Sequence, residues 1–191
     1  MEALDLDPAG YTGTYKLIGG RLALDFINTI SWPGLDREHD WLSTIANVKR
    51  WATAVGLDAR QTRSGDLEPI RTTRCVMTGL IRPLTHDKLP AQSAVVAFNA
   101  ELSAASSRRV LHHSPVEWTW QNQSPREVLL DPIIVNAADI AATHNRSRLG
   151  HCPSCDWVFY DETRNGARRW CDMADCGSRA KSRRYYQRTT T

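Results

Sequence analysis

Near the C-terminus lie two close pairs of cysteines, which constrain the fold more than any other feature. Cys152 and Cys155 are separated by two residues, Cys171 and Cys176 by four, and fifteen residues lie between the pairs. This spacing is typical of a zinc site. Four thiolates complete the tetrahedral coordination of Zn²⁺, so we predict a structural zinc ion and no enzymatic activity at this site. His151, beside the first pair, is a rival ligand.

The residues around the two pairs predict a treble-clef-like finger made of a knuckle, a β-hairpin and a basic helix. Between the pairs, Asn165-Gly166 indicates the turn of a hairpin. Residues five apart on one α-helix point about 140° apart, so Cys171 and Cys176 cannot bind one ion from a continuous helix. We therefore expect Cys171 to end a strand and Cys176 to lie in the first turn of a helix. Asp172 or Asp175 is the expected N-cap.

The last quarter of the chain is more basic than the rest. From residue 146 onward there are ten Lys or Arg and five Asp or Glu, whereas the preceding part has 14 and 16. Seven of the eight basic residues between 163 and 188 are arginine, whose forked donors suit phosphates and guanine edges. On the predicted helix, positions 181, 184 and 188 share one face. The predicted nucleic-acid-binding residues are Arg168, Arg169, Arg179, Lys181, Arg183, Arg184 and Arg188.

This basic segment is compatible with three kinds of function. Binding of double-stranded DNA is the favoured interpretation, and a homodimer would suit a DNA-binding protein. In the second interpretation, the chain itself is an enzyme or a small-molecule-binding protein, and the finger only holds its C-terminus against the rest of the chain. The third is RNA binding, indicated by Tyr185 and Tyr186 beside the arginines.

The first 145 residues predict a mostly helical α+β domain with a small sheet, and we place the zinc finger at residues 146–191. Apolar residues recur at helical spacing in several segments, and one segment alternates as a strand does. Residues 15–20 predict a strand or hairpin that leads into a helix over 22–30. Further helices are predicted over 40–57, 66–82 (ending before Pro83) and 89–107 and from Asp131 onward, and a β-hairpin over 109–122.

A candidate ligand pocket lies in the N-terminal part. Asp25, Asn28, Thr29 and Trp32 place polar groups beside an apolar segment and could line a pocket for a small-molecule effector. Helix capping and core packing are the favoured explanation of the same residues. Cys75 falls inside an apolar helical pattern and is expected to be a small buried residue.

The sequence lacks the features of several other classes of protein. It has no nucleotide-binding glycine loop of either common type. The acidic N-terminus lacks the apolar stretch of a signal peptide, and no apolar run approaches the roughly 18 residues that span a bilayer. We therefore expect a cytoplasmic protein with no membrane partner, in a reducing compartment where clustered cysteines bind metal.

The cysteine segment resembles the CGNR zinc finger through Cys152, Cys155, "WVFYDETRNGARRWC", "MADCGSRAK" and "RRYYQR". Upstream, "GGRLALDFINTI" is similar to the start of the ABATE domain, which usually precedes this finger. Ser178 replaces the Asn that names the motif, and the first pair is closer than in many members. The resemblance implies a bacterial, stress-related transcription regulator.

Overall fold

The computed structural model describes residues 3–32, 34–122, 129–143 and 145–189. These residues form α-helices and short, two-stranded antiparallel sheets. The helices are α1 (Leu22–Ile27), α2 (Ile45–Ala54), α3 (Leu67–Leu84), α4 (Gln92–Ser107), α5 (Asp131–Thr143) and α6 (Ser178–Thr189). The paired strands are β1 (Ile30–Ser31) with β2 (His39–Asp40), β3 (Arg109–His113) with β4 (Trp118–Asn122), and β5 (Leu149–His151) with β6 (Val158–Tyr160).

The predicted fold class, a helical α+β domain followed by a cysteine-rich finger, is confirmed. The structure contains the helices and the hairpin predicted for the N-terminal part. α2 begins after Thr44, whose hydroxyl accepts a hydrogen bond from the Asn47 N–H at 3.2 Å. It ends before Gly56, whose φ of 76° suits a residue without Cβ. None of the helices among the described residues is both long enough and apolar enough to cross a membrane.

α3 extends beyond its predicted end. We expected the helix to stop before Pro83, and this was wrong, because Pro83 lies inside the last turn. The turn is closed by tighter hydrogen bonds, from the Thr85 N–H to the Arg82 carbonyl at 3.1 Å and from the His86 N–H to the Pro83 carbonyl at 3.0 Å. Neither bond needs the N–H that proline lacks.

The segment before α1 forms no regular strand or hairpin. Tyr15 makes only an isolated bridge with Leu4. The prediction of a strand or hairpin over 15–20 was therefore wrong, because this segment folds back onto α1 instead. The Asp25 carboxylate accepts the Gly19 N–H at 2.7 Å, and a Cβ on Gly19 would lie 2.8 Å from the Asp25 nitrogen. Only glycine permits so close an approach.

One continuous hydrophobic core includes both the helices and the finger. α1 packs against α3, α5 and β6. Phe26, Trp51 and Met77 are fully buried, as is Val158 of the finger. Cys75 is exposed on the surface of α3, so its predicted burial was wrong. Periodicity shows that a helix has an apolar stripe but does not fix where the edge of that stripe meets solvent.

Asp25 is a buried acid within this core, with 8 % of its surface exposed. Burial raises its pKa from 3.8 to about 6, against the lowering effect of the Gly19 and Ile18 N–H groups and the Arg168 charge. Because the folded-state pKa lies above the unfolded one, the native state holds this proton more tightly. The resulting stability is present at low pH and is lost as the pH rises through about 6.

Replacing Asp25 by Asn should remove this pH dependence. Between pH 5 and pH 7 the wild-type protein should lose roughly 1.4 kcal/mol of unfolding free energy relative to the Asp25→Asn variant, as a pKa of about 6 requires. Urea unfolding of both proteins at the two pH values measures the difference. A constant difference between the proteins would contradict the raised pKa.

Candidate metal centre and basic helix

The four predicted ligands converge at one point. Cys152, Cys155, Cys171 and Cys176 are all buried, and their sulfur atoms lie within 4.8 Å of one another. Four sulfurs at about 2.3 Å from a tetrahedral Zn²⁺ would be roughly 3.8 Å apart. The cluster therefore has the donors and the spacing of a four-thiolate zinc site, and the four cysteines are positioned to bind one metal ion.

The first pair of ligands lies on a knuckle between two paired strands. β5 leads into Cys152, and the chain returns after Cys155 as β6, with Gly150 opposite Phe159. The Cys152 N–H donates to the Trp157 carbonyl at 2.8 Å across the base of the knuckle. A Cβ on Gly150 would lie 2.8 Å from the Phe159 ring, so the two strands meet only because this residue is glycine.

This pairing corrects the predicted hairpin. We expected two strands between the cysteine pairs, the second ending at Cys171, but β6 pairs with β5 instead. The Asn165-Gly166 turn is present, with the Gly166 N–H donating to the Thr163 carbonyl at 3.2 Å. No strand follows it within this described segment. β5 supplies the backbone partner of β6, so a strand after the turn is not needed to satisfy the backbone groups of β6.

Side chains hold the segment after the turn where a second strand was expected. The Asp161 carboxylate accepts the N–H groups of Thr163 at 2.8 Å and Arg168 at 2.7 Å. The Arg168 guanidinium donates to the carbonyl oxygens of Ile18 at 2.9 Å and Cys171 at 2.5 Å. These bonds satisfy backbone groups that a strand ladder would otherwise pair.

The contacts of Arg168 give it a role within the chain that the sequence did not indicate. We expected this residue to contact nucleic acid, but its guanidinium is used within the chain and also covers the Phe159 ring at 4.4 Å. Arg168 joins the finger to Ile18 of the N-terminal part and positions the backbone of the metal ligand Cys171. Charge counts could not reveal this, because they do not distinguish an exposed arginine from one that packs on a core.

Cys176 lies where the sequence predicts, just after a capped helix start. The Asp172 carboxylate accepts the Ala174 N–H at 2.9 Å, which confirms Asp172 as the N-cap. Cys176 sits in a π-helical turn, Met173–Gly177, that continues into α6. Asp172 also pairs with Lys16 at 2.6 Å, so the start of the turn is tied to the N-terminal part.

Hydrogen bonds within the cluster dominate the ionisation of its thiols. Bonds from Cys155 and the other sulfurs lower the pKa of Cys152, while the same network raises the pKa values of Cys155 and Cys171. The Cys152 bond raises the pKa of Cys176, but the remaining bonds, including one from Arg179, bring it down to about 6. Thiolate is the form that binds zinc.

Arg179 is positioned to neutralise part of the cluster's negative charge. Its Nη2 atom lies 3.2 Å from the Cys176 sulfur, and its Nε atom lies 3.3 Å from Asp175. A cation beside a four-thiolate centre offsets some of its charge of −2. The structure therefore gives Arg179 a place beside the metal ligands, in addition to any contact with a partner.

His151 and its neighbours form a second group of possible metal ligands. His86, His151 and Asp156 have ligand atoms within 4.8 Å of one another. His151 stacks on His86 with ring centroids 3.8 Å apart. It does not belong to the group formed by the four cysteines, for which it was the rival ligand. Arg82 forms an ion pair with Asp156, and its positive charge opposes a second cation there. The four cysteines remain the better metal site.

The rest of α6 faces solvent. Ala180 is buried, whereas residues 181–187 are all exposed. Lys181 and Arg184 lie on this exposed helix as predicted. Arg183 reaches back to the Ser154 hydroxyl at 3.1 Å. Arg169 is exposed beside Trp170, at 5.2 Å from its ring. The side chain of Arg188 lies outside the described part of the structure.

Three of the four predicted pocket residues instead form the core between the finger and the helices. Asn28 is 1 % exposed; its amide donates to the Val158 carbonyl and accepts the Val158 N–H, both at 2.8 Å. Thr29 accepts from Arg74 at 2.7 Å, and Asp25 holds the Gly19 turn. The pocket prediction for these residues was wrong. Polarity in an apolar segment marks a buried hydrogen bond as readily as a ligand site.

Trp32 has a different place. Its indole N–H donates to the Tyr11 hydroxyl at 2.7 Å, and Arg37 covers its ring at 3.5 Å. It borders a cavity of only about 50 Å³, far below the several hundred cubic ångströms of a typical ligand site. A cavity of about 830 Å³ lies elsewhere, beside α3, and no pattern in the sequence indicated it.

Metal content tests the cysteine site. Protein purified without added metal should contain about one zinc per chain. The Cys171→Ser variant should lose this zinc, and its finger should be less stably folded, because the free energy of metal binding contributes to folding. Cys75→Ser is the matched control, since Cys75 lies on α3 outside the cluster, and it should keep its zinc. Full zinc retention in Cys171→Ser would refute the ligand set.

Asn28 should be critical for attaching the finger. Asn28→Ala leaves the buried N–H and carbonyl of Val158 without partners, which should reduce the unfolding free energy by about 2–5 kcal/mol. Asn99→Ala, at an exposed position of α4, should change it by less than about 0.5 kcal/mol. Equal effects in denaturant unfolding would mean that the Asn28 bonds contribute little.

Comparison with known families agrees with this architecture. The ABATE family, described as "Putative stress-induced transcription regulator", matches residues 20–144. The CGNR zinc finger matches residues 148–189, which include all four clustered cysteines. A search of curated proteins finds no match. The ABATE match alone covers well over half of the sequence, so the chain belongs to the ABATE family and carries a CGNR zinc finger after its ABATE domain.

Proposed function

We propose that this protein is a transcription regulator that binds double-stranded DNA through helix α6 of its zinc finger. The observation that carries the proposal is the exposure of every residue from 181 to 187, among them Lys181, Arg183 and Arg184. The family description, which names transcription regulation, supports the same function.

The way α6 is supported favours a role in binding. Among its described side chains, only Ala180 is buried, so the helix has almost no apolar face to pack on the core. Packing of such a face supplies most of the stability of protein helices. Here the zinc ligand Cys176 and the Asp172 cap fix the start of the helix instead. The remaining surface is left available for a partner.

The dimensions and charge of α6 suit the major groove of DNA. Its 12 residues extend about 18 Å, and the groove is about 12 Å wide. Lys181 and Arg184 lie on one exposed face and can reach phosphates without disturbing the metal. Arg169 and Arg183 are also exposed and can extend this surface. We leave Arg168 out of it, because its Nε and Nη2 atoms donate to carbonyl oxygens within the chain.

RNA binding is the second candidate. Tyr185 and Tyr186 are 65 % and 68 % exposed, and their rings lie 5.9 Å apart. Exposed aromatic rings beside arginines can stack on unpaired bases. Duplex DNA offers no unpaired bases for such stacking, so a strong preference for single strands would favour this alternative.

We propose that the zinc centre has no catalytic role. A catalytic zinc keeps a coordination position open for water, and four thiolates fill the tetrahedral shell. The buried position of all four sulfurs supports this view. Turnover that any single cysteine substitution abolished, without loss of the fold, would contradict it.

The salt dependence of binding tests the proposed function. The affinity for duplex DNA should fall with salt at a slope of about −0.9 per phosphate contact. The Lys181→Ala/Arg184→Ala variant should flatten this slope by about two units and keep its zinc. Lys49→Ala/Arg50→Ala is the matched control, because it removes the same two residue types from exposed positions of α2; it should leave the slope unchanged.

Two outcomes would contradict the proposal. No binding to duplex DNA by the wild-type protein at low salt would favour a finger that only staples the C-terminus to the core. Binding to single-stranded RNA at least tenfold tighter than to duplex DNA, lost in Tyr185→Ala/Tyr186→Ala, would favour RNA as the partner.

A further inference from the structure

A cavity of about 830 Å³ lies beside α3, bordered also by α1 and by β1 and β2. We infer that this α3 cavity binds small carboxylic acids that have an apolar body, with the carboxylate held by arginine. Its volume lies within the range of small-molecule sites. It is separate from the residues that the sequence suggested as a pocket, apart from the contact of Arg74 with Thr29.

The walls of the α3 cavity suit an apolar body. Ile27 and Ile30 line one side, and Thr78, Gly79 and Pro83 of α3 line another. Most small-molecule sites combine such walls with a few convergent polar groups that fix the orientation of the ligand. The apolar part of a ligand would gain here by leaving water.

The charged groups of the cavity select an anion. Arg71, Arg74, Arg82 and Lys88 line it, against only Glu38 and Asp40. Asp40 is already bound, by Arg74 through two bonds of 2.8 Å and by Arg71 at 3.2 Å. The remaining excess of positive charge is small. It fits a single carboxylate on an apolar molecule better than a highly charged phosphate ester.

Two of these arginines have buried donors that lack an acceptor. The side chain of Arg74 is 2 % exposed, and its Nε atom has no hydrogen-bond partner among the described residues. The Nε atom of Arg82 is also buried and also has no hydrogen-bond partner among the described residues. A buried N–H without an acceptor is costly. Neither Nε atom is accessible in this conformation, so a ligand carboxylate would supply the missing acceptor, in a charge-assisted bond, only if the arginine side chain shifts towards the cavity.

The same end of α3 contacts the zinc knuckle. Arg82 forms an ion pair with Asp156, the residue after a zinc ligand. His86 stacks on His151, and the His151 Nδ1 atom lies 3.3 Å from the Thr85 carbonyl. A carboxylate bound to Arg82 would compete with Asp156 and alter this contact. The effect on DNA rests on the proposed function; binding of the acid does not.

Cys75 supplies a direct probe of occupancy. It is exposed and lines the α3 cavity, whereas the other four cysteines are buried. The rate at which N-ethylmaleimide labels Cys75 in zinc-loaded protein can be followed by peptide mass spectrometry. Octanoate and 4-phenylbutyrate should slow this labelling in a saturable way. The neutral octanamide should require at least tenfold higher concentration, because it lacks the charge that arginine recognises.

The length of the alkyl chain of the acid gives a second quantitative expectation. Hexanoate has two fewer methylene groups than octanoate, and each buried methylene is worth about a factor of four in affinity. Hexanoate should therefore bind roughly fifteenfold more weakly. No protection of Cys75 by either acid, or equal protection by octanoate and octanamide, would overturn the inference.

Arg82→Met tests the role of the arginine. It should weaken protection by octanoate at least tenfold, whereas Arg50→Met, on the exposed surface of α2, should leave it unchanged. Zinc content shows whether each variant is folded. Protection that is unaffected by Arg82→Met in zinc-loaded protein would overturn the assignment of the carboxylate to Arg82.

Duplex DNA affinity measured with and without octanoate separates the two proposals. A change of at least threefold in wild-type protein, absent in Arg82→Met, supports coupling between the cavity and the finger. Cys75 protection with unchanged DNA affinity overturns the coupling but leaves the carboxylate site. Cys75 protection in a protein that binds no DNA overturns the proposed function alone.

Discussion

The convergence of four cysteine sulfurs is the constraint on which the C-terminal part of this protein depends. Two of them lie on a knuckle between two three-residue strands and two lie around a π-helical turn, and elements this short are only marginally stable by themselves. A metal ion at this point supplies the missing stability, because its binding energy becomes folding energy. It also fixes the start of α6, whose exposed surface we propose to be the DNA contact.

The finger is part of the main core rather than an appendage. Asn28 pairs with both backbone groups of Val158, and the Trp157 indole donates to the Ile30 carbonyl at 3.1 Å. Lys16 and Arg168 add contacts near the second cysteine pair. The position of α6 relative to α3 is therefore set by buried contacts. This gives a ligand beside α3 a physical route to the finger through Arg82 and His86.

Arginine has several different roles here, and burial separates them. Arg74 is buried against Asp40 and Thr29, while Arg168 supports the backbone of the zinc segment. Arg179 lies beside a cysteine sulfur. Arg184 lies on an exposed helix, where a phosphate could reach it. A guanidinium can serve in each setting because it is always charged and has five donors in a fixed fork.

The sequence by itself determined the zinc ligands and most helix positions and narrowed the N-cap to Asp172 or Asp175, because these features depend on spacing along the chain and on neighbouring residues. Tertiary structure alone decided that β6 pairs with β5, that Asn28 is buried against the finger, and that Cys75 faces a cavity. Those features depend on contacts between residues far apart in sequence. Polarity at Asp25, Asn28 and Thr29 was visible, but its meaning depended on their partners in the fold, which are the Gly19 turn, Val158 of the finger and Arg74 of α3.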